Sequence, residues 1–264
     1  MLLEKIYRRL LREAEELSGE EFSAKILSRV EKASKQKLAL FEFTKDNKQN
    51  FFLYRPDKLI KELSDYVLSN QYETIETRGL RLKIAGILLG EALLGTIKIS
   101  KKSGMCHDAS VVNISAVDEG YGPMLYDIAM TMSPSGKIMS DRLSISNLAS
   151  NYYKQLHKRS DIKAEPFEDP LTSSGEGACA RWSDEYPDME HLDYAFSRTS
   201  DFDATQLLDA HENTLSEISE ILLQFGFDQM STEQILKIAF DEVQPDFFSK
   251  RYAKVPDSQI RVRS

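Results

Sequence analysis

Between Val111 and Met130 the chain changes character at Gly120-Tyr121-Gly122-Pro123. Val111 to Val117 alternates and is rich in β-branched residues, which predicts a strand; Met124 to Met130 has the apolar spacing of a helix. A helix start exposes N–H groups without partners and carries a partial positive charge, so an anion fits it. Glycine lets backbone approach a phosphate, and a proline in the first turn costs little because its missing N–H would not be bonded within the helix. Asp118 and Glu119 bring negative charge to the same turn, and glycines also serve simply to let a chain reverse. Spacing alone therefore leaves both a phosphate cradle and a plain turn open. The third glycine of a dinucleotide fingerprint and the Gly-Lys-Ser/Thr of a Walker loop are missing, so neither nucleotide motif is supported.

The other reactive side chains are sparse. Two cysteines, Cys106 and Cys179, make no disulfide framework, and a reducing, cytosolic setting is expected. Neither has a His/Asn arrangement around it that argues for a nucleophile. Cys106-His107 falls short of the four ligands of a zinc site, so no metal is expected.

The elements that must position the glycine turn read as one mixed α/β unit with helical ends. The 264 residues are 41% hydrophobic and 29% charged, enough for one large domain or a medium one with an appendage. Leu2, Leu3, Ile6, Tyr7, Leu10 and Leu11 predict an amphipathic helix over 2–17, and a second is expected over 20–33. "LALFEF" and "NFFLYR" flank the turn-forming "TKDNKQ" as a hairpin, and Pro56 stands at the start of a helix reaching Ser69. The apolar run Leu80 to Ser100 is read as two strands meeting near Gly90-Glu91, the central hairpin of the sheet. "SPSG" predicts a turn, "KIMSDR" a short strand, and Ser144 to His157 a helix. Past residue 160 the chain reads as loop-rich to about Tyr194, followed by helices over 203–224 and 231–242, with Ser231 as the start signal of the last.

This order of elements, the glycine turn and the helix ending "ASNYYKQL" resemble the GNAT acetyltransferase superfamily. In that family Arg/Gln-x-x-Gly-x-Gly/Ala between a strand and a helix holds the pyrophosphate of acetyl-coenzyme A. Val117-Asp118-Glu119-Gly120-Tyr121-Gly122 matches both small positions and departs at Val117. A later helix of the family reads Asn-x-x-Ala-x-x-x-Tyr, its tyrosine protonating the departing thiolate. Here Ala149 and Tyr153 fall at the matching places and Ser146 replaces the asparagine. The phrase "GYGPMLYDIAM" with its following short strand also resembles GNAT-like proteins of tailed bacteriophages. The resemblance covers about residues 36 to 160. It implies an α/β (α+β) fold with a mixed, mostly antiparallel sheet flanked by helices. It also implies acetyl-CoA as co-substrate, coenzyme contacts at Val117, Gly120, Tyr121, Gly122 and Pro123, and Tyr153 as general acid.

Acetyl transfer needs a polarised thioester, a deprotonated amine and a stabilised leaving thiolate. Two strands that splay apart would free backbone N–H groups for the carbonyl, and the diverging pair expected is Val111 to Val117 against Lys137 to Asp141. Asp141 is the first candidate base, with His107 and Glu91 behind it. Each has a plainer reading: Asp141 in an ion pair with Arg142 or as a helix cap, His107 solvated, Glu91 a turn residue. Tyr153, at helical spacing with Ala149 and Leu156, also reads as a core aromatic.

The net charge of −8 conceals an asymmetry. Residues 1–160 carry 25 basic and 20 acidic groups, residues 161–246 carry 4 and 21, and the last eighteen carry 5 and 1. The acidic part disfavours nucleic acid as a partner. The longest apolar stretch, Ile84 to Ile99, contains Glu91 and three glycines and is shorter than the ~20 residues a membrane span needs. The organisation expected is an N-terminal helical extension (1–35), a core (36–160) and an acidic, loop-rich and helical C-terminal region with a basic tail (161–264). The terminal helices suit self-association or a protein partner. The leading expectation is a cytoplasmic N-acetyltransferase acting on an amine. The other is a catalytically silent GNAT-like component of a phage particle.

Overall fold

Asp46 and Asn47 both take positive φ, 49° and 58°, the left-handed pair that a two-residue hairpin turn requires and short polar side chains tolerate. They join β1 (Ala39–Lys45) to β2 (Lys48–Tyr54) in antiparallel register, Phe41 opposite Phe52 and Leu40 opposite Leu53. Away from the turn both faces of this hairpin are buried, so Ala39–Phe41 and Phe51–Tyr54 are apolar without alternation. The computed structural model describes residues 37–70, 75–100, 108–117, 121–141, 147–167 and 186–243. Beyond these it describes Glu20, Glu21, Ala24, Ser28, Lys35, Ser183 and two short strands given below. The expected helix over 2–17 lies outside the described residues; of the one over 20–33, Glu20, Glu21, Ala24 and Ser28 are helical and exposed.

Pro56 opens α1 (Pro56–Ser69), which buries Leu59, Leu63 and Val67 at four-residue spacing. The next segment departs from the sequence expectation. Instead of a central hairpin, α2 (Thr77–Ile87) runs on through a π turn (Leu88–Ala92), and only β3 (Leu93–Ser100) is a strand. Leu80, Ile84 and Ile87 carry helical spacing, while Leu82, left 55% exposed, blurred it into an apolar run. Glu91 thus belongs to the π turn and not to a hairpin.

β4 (Ser110–Val117), α3 (Gly122–Met132) and β5 (Lys137–Met139) follow as expected, with Gly136 at φ 68° completing the turn before β5. The expected helix from Ser144 is corrected: Ser144–Ile145 is a short strand, β6, and α4 spans Asn147–Leu156. Past residue 160, two strands interrupt the expected loop, β7 (Ile162–Pro166) and β8 (Tyr194–Arg198), the second preceded by a 3₁₀ turn (Pro187–Leu192). Then come α5 (Thr205–Leu223), α6 (Gln229–Glu242) and β9 (Ile260–Arg261). The N-cap of α6 is Asp228, whose carboxylate accepts from the Ser231 N–H at 2.7 Å, so Ser231 belongs to the first turn rather than to the cap.

Seven strands form one sheet in the order β1-β2-β3-β4-β5-β8-β7, antiparallel except for the parallel pair β4/β5. The charge change near residue 160 is therefore a change of surface within one sheet. One face is covered by α3 and α4, with Leu40, Leu53, Ile97, Leu125, Ile128 and Tyr153 in a common core. The other is covered by α1, α2, α5 and α6, where Phe240 packs against Phe41, Phe52 and Tyr54 at 5.0–5.2 Å between ring centres. Helices packed on a mostly antiparallel sheet make an α+β fold. Among the described residues no helix is long and apolar enough to cross a membrane.

Candidate functional site

The parallel pair β4/β5 is the weak seam of the sheet. It is paired only at Ser110 opposite Ile138 and Val111 opposite Met139. β4 runs on six residues further, its pairing to β3 reaching Val117 opposite Gly95, while β5 has ended and pairs on its far side with β8. The two halves of the sheet are joined at the start of these strands and part toward their ends. That is where the splay between Val111–Val117 and Lys137–Asp141 was expected.

α3 starts at the open end of this splay. Tyr121 is its N-cap, half-buried against the core, and its carbonyl accepts from the Leu125 N–H at 3.1 Å. Gly122 and Pro123 are the first two helical residues, so the first turn directs the Gly122 and Met124 N–H groups out along the axis. A Cβ built on Gly122 meets nothing within 4 Å, and its φ is not positive. Among the described residues, nothing at this turn requires glycine to avoid a clash. Val117 is described in its backbone, at the end of β4, while Gly120, with Asp118 and Glu119, lies outside the described residues, as do Cys106, His107, Arg142 and Cys179.

Tyr153, on α4, is 1% exposed and its ring is walled by Tyr126, 5.8 Å away edge-on, and by Phe196 at 5.5 Å. Its hydroxyl is buried with no hydrogen-bond partner among the described residues. Burial pushes the phenol well above its ordinary value, and Tyr126, Tyr152 and the Asp141 carboxylate push in the same direction. Tyr153 therefore keeps its proton at neutral pH, and Asp141 lies close enough for its charge to be felt. Asp141 itself is half-buried two residues beyond β5. Of the residues singled out in the sequence, Tyr121, Gly122 and Pro123 are placed at the helix start, and Asp141 follows β5 within range for its charge to act on Tyr153. The side chain of Glu91 is outside the described residues.

A set of groups that sequence reasoning missed holds α3 in place. Asp127, fully buried, accepts two hydrogen bonds from Arg159, 2.7 and 2.9 Å, and one from Arg198, 2.6 Å. Arg159 also donates to both oxygens of Asp161, at 2.9 and 2.7 Å. Burial pushes the Asp127 carboxyl up while both guanidiniums oppose it. Burial alone would lower Arg159, but its bonds to Asp161 and Asp127 outweigh this and keep it charged. The network ties α3 to the start of β7 and the end of β8, and Tyr152 adds a bond from its hydroxyl to the Pro123 carbonyl at 3.4 Å. Its signal in the sequence was one acid, Asp127, inside the otherwise apolar "MLYDIAM".

Two imidazole pairs, one buried and one half-buried, were also unforeseen. Tyr54 Oη and His211 Nδ1 are 2.8 Å apart, with His211 stacked on Phe41. Ser150 Oγ and His191 Nε2 are 2.8 Å apart between α4 and the 3₁₀ turn. Burial pushes both histidines down to about 4. Among the described residues no group of three or more His, Cys, Asp or Glu is placed to hold a metal ion. Comparison with protein-family models, with curated proteins and with solved structures gives no match.

Proposed function

We propose that this protein is a GNAT-fold N-acetyltransferase that moves the acetyl group of acetyl-CoA to an amine. One observation carries the reading: α4, packed in the same core as the helix that starts at Gly122, buries a tyrosine hydroxyl that has no partner among the described residues. A protein core seldom tolerates an unpaired hydroxyl without a use for it, because the lost hydrogen bond costs about 1–3 kcal/mol. The residues present fit the coenzyme. The helix start offers N–H groups and dipole to a diphosphate, and the hydroxyl offers a proton to sulfur.

In this reading Gly122 and Met124 N–H groups hold the diphosphate, with Val117, Gly120, Tyr121 and Pro123 shaping the turn. The amine attacks the thioester carbonyl, whose oxygen is met by backbone N–H groups of β4 freed by the splay. Asp141 takes the proton from the attacking nitrogen. The carbon–sulfur bond breaks and Tyr153 gives its proton to the thiolate, regained from solvent between turnovers. Orientation supplies much of the rate, which suits so sparse a set of side chains.

A second reading has one observation in its favour. Tyr153 is sealed among Tyr126, Tyr152 and Phe196, which suits a silent GNAT-like scaffold, as in a phage particle, in which the aromatic only packs. Thermal unfolding with and without coenzyme A separates the two. Coenzyme at 100 times its Kd should add about 2.7 kcal/mol to folding stability. Gly122→Trp, placing a large side chain at the helix start, should keep the fold and abolish that gain. Absence of any gain in the unaltered protein selects the scaffold.

A further inference from the structure

The half-buried imidazole pair has a geometry that the transferase reading does not use. Ser150 stands in the first half of α4 and His191 near the end of the 3₁₀ turn Pro187–Leu192, with Ser150 Oγ 2.8 Å from His191 Nε2. The other ring nitrogen, Nδ1, is left to donate its hydrogen to the Asp188 carbonyl three residues earlier. That bond holds the ring proton on Nδ1 and makes Nε2 the acceptor, so the Ser150 hydroxyl donates to it. A further bond steadies the turn: His157 Nε2–H donates to the His191 carbonyl at 3.2 Å.

We infer that Ser150 and His191 are a nucleophile and its general base, taking the acyl group of a small, uncharged activated ester onto Ser150 Oγ and passing it to water. Three observations carry this. The distance between them lies within the about 2.6–3.2 Å at which a base can draw a hydroxyl proton, and a third group, the Asp188 carbonyl, orients the base. Burial, with the Lys154 charge adding to it, pushes the imidazole down to about 4, so it is neutral near pH 7 and able to accept. Its low basicity confines the pair to esters with a good leaving group. Ser150 is 4% exposed and Met189 Sδ stands 3.6 Å from its oxygen, so a short apolar acyl group suits the site and a charged one does not. In the reaction Oγ bonds to the carbonyl carbon as its proton passes to Nε2. The bond from that carbon to the leaving oxygen breaks, and Nε2 gives the proton to the departing oxygen. Water then attacks the acyl-serine by the same route, releasing the acid and restoring the hydroxyl. The inference stands apart from the transferase reading, since neither coenzyme nor Tyr153 nor Asp141 takes part.

The test mixes the full chain with p-nitrophenyl acetate, quenches samples in acid at successive times and locates the acetyl group by peptide mapping. Acetyl-Ser150 should form, and its rate of formation should fall roughly a hundredfold or more in His191→Gln, which keeps a hydrogen-bond partner for Ser150 and removes the base. Thermal unfolding of that variant checks that it is folded. A pair that only staples α4 to the turn gives no acetyl on Ser150, or the same rate in His191→Gln, and either result overturns the inference. The pH dependence of Ser150 acetylation in the unaltered chain is a check that needs no variant. The groups that act on His191 are Lys154 and His157 from α4 and its end, and Asp188 on its own turn. With these in place the rate should stay level as pH falls toward 5 and be half lost near the value of about 4 that His191 carries. Loss centred on the ordinary value of 6.5 assigns the reaction to another histidine and overturns the inference. No coenzyme enters any readout, so failure here is distinguishable from failure of the transferase reading.

Discussion

The carboxylate of Asp127 is grasped by both terminal nitrogens of Arg159, 2.7 and 2.9 Å away, with neither side chain reaching solvent. This pair, with Arg198 at 2.6 Å, welds the helix that begins at Gly122 to the β7/β8 half of the sheet, across the seam where β4 and β5 part.

Asp127→Asn leaves two guanidiniums facing a neutral group in the core. Removing one partner of a buried charged pair is expected to cost about 3 kcal/mol or more, read as a lower urea midpoint with unchanged slope. Asp161→Asn is the comparison. Asp161 is 26% exposed in its side chain and water replaces part of its role, so a loss of about 1 kcal/mol is expected. Equal losses would mean that burial of Asp127 is not what gives the network its weight.

Tyr153→Phe should lower turnover while stability stays level or rises by about 1 kcal/mol, because the deleted hydroxyl is buried with no bond among the described residues. Steady-state rates and chemical denaturation measured on the same preparation check both halves. A drop in stability would show that the hydroxyl has a bonding partner after all.

His211 makes stability depend on pH in a stated direction. Its folded value is pushed down to about 4 by burial, against an ordinary value of 6.5, so the unfolded chain binds a proton first. Its contribution is complete above pH 6.5 and is lost as pH falls toward 4, by about 3 kcal/mol for this group. His211→Asn keeps an acceptor for Tyr54 and removes the titration. The difference in stability between the two proteins, measured from pH 7 to 4, should shrink as pH falls; a constant difference rejects the assignment.

Gly122→Ala tests the helix start without filling it. The new methyl meets nothing within 4 Å among the described residues, φ is not positive, and alanine is the better helix former, so stability should rise by up to about 1 kcal/mol. Gly136→Ala should do the reverse by a similar amount, because φ there is 68°. Thermal unfolding of the two variants side by side checks the contrast.

Much of this architecture was legible from local pattern. The hairpin around Asp46-Asn47, the start of α1 at Pro56, the passage from β4 through Gly122-Pro123 into α3, and α5 and α6 are all set by side-chain period, turn chemistry and capping. Those forces act between residues close in the chain, so sequence alone decides them. α2 shows the limit within that class, since an exposed Leu82 was enough to disguise helical spacing as a strand pair. What only the tertiary structure decided involves partners far apart in sequence. β7 and β8 are strands because β5 offers them an edge, β6 is a strand because residues 260–261 return to it, and Asp127 is tolerable in an apolar helix because Arg159 and Arg198 arrive from other elements. A hydrogen bond or ion pair across the fold leaves no period in the sequence, because its energy depends on distance in space and not on spacing along the chain.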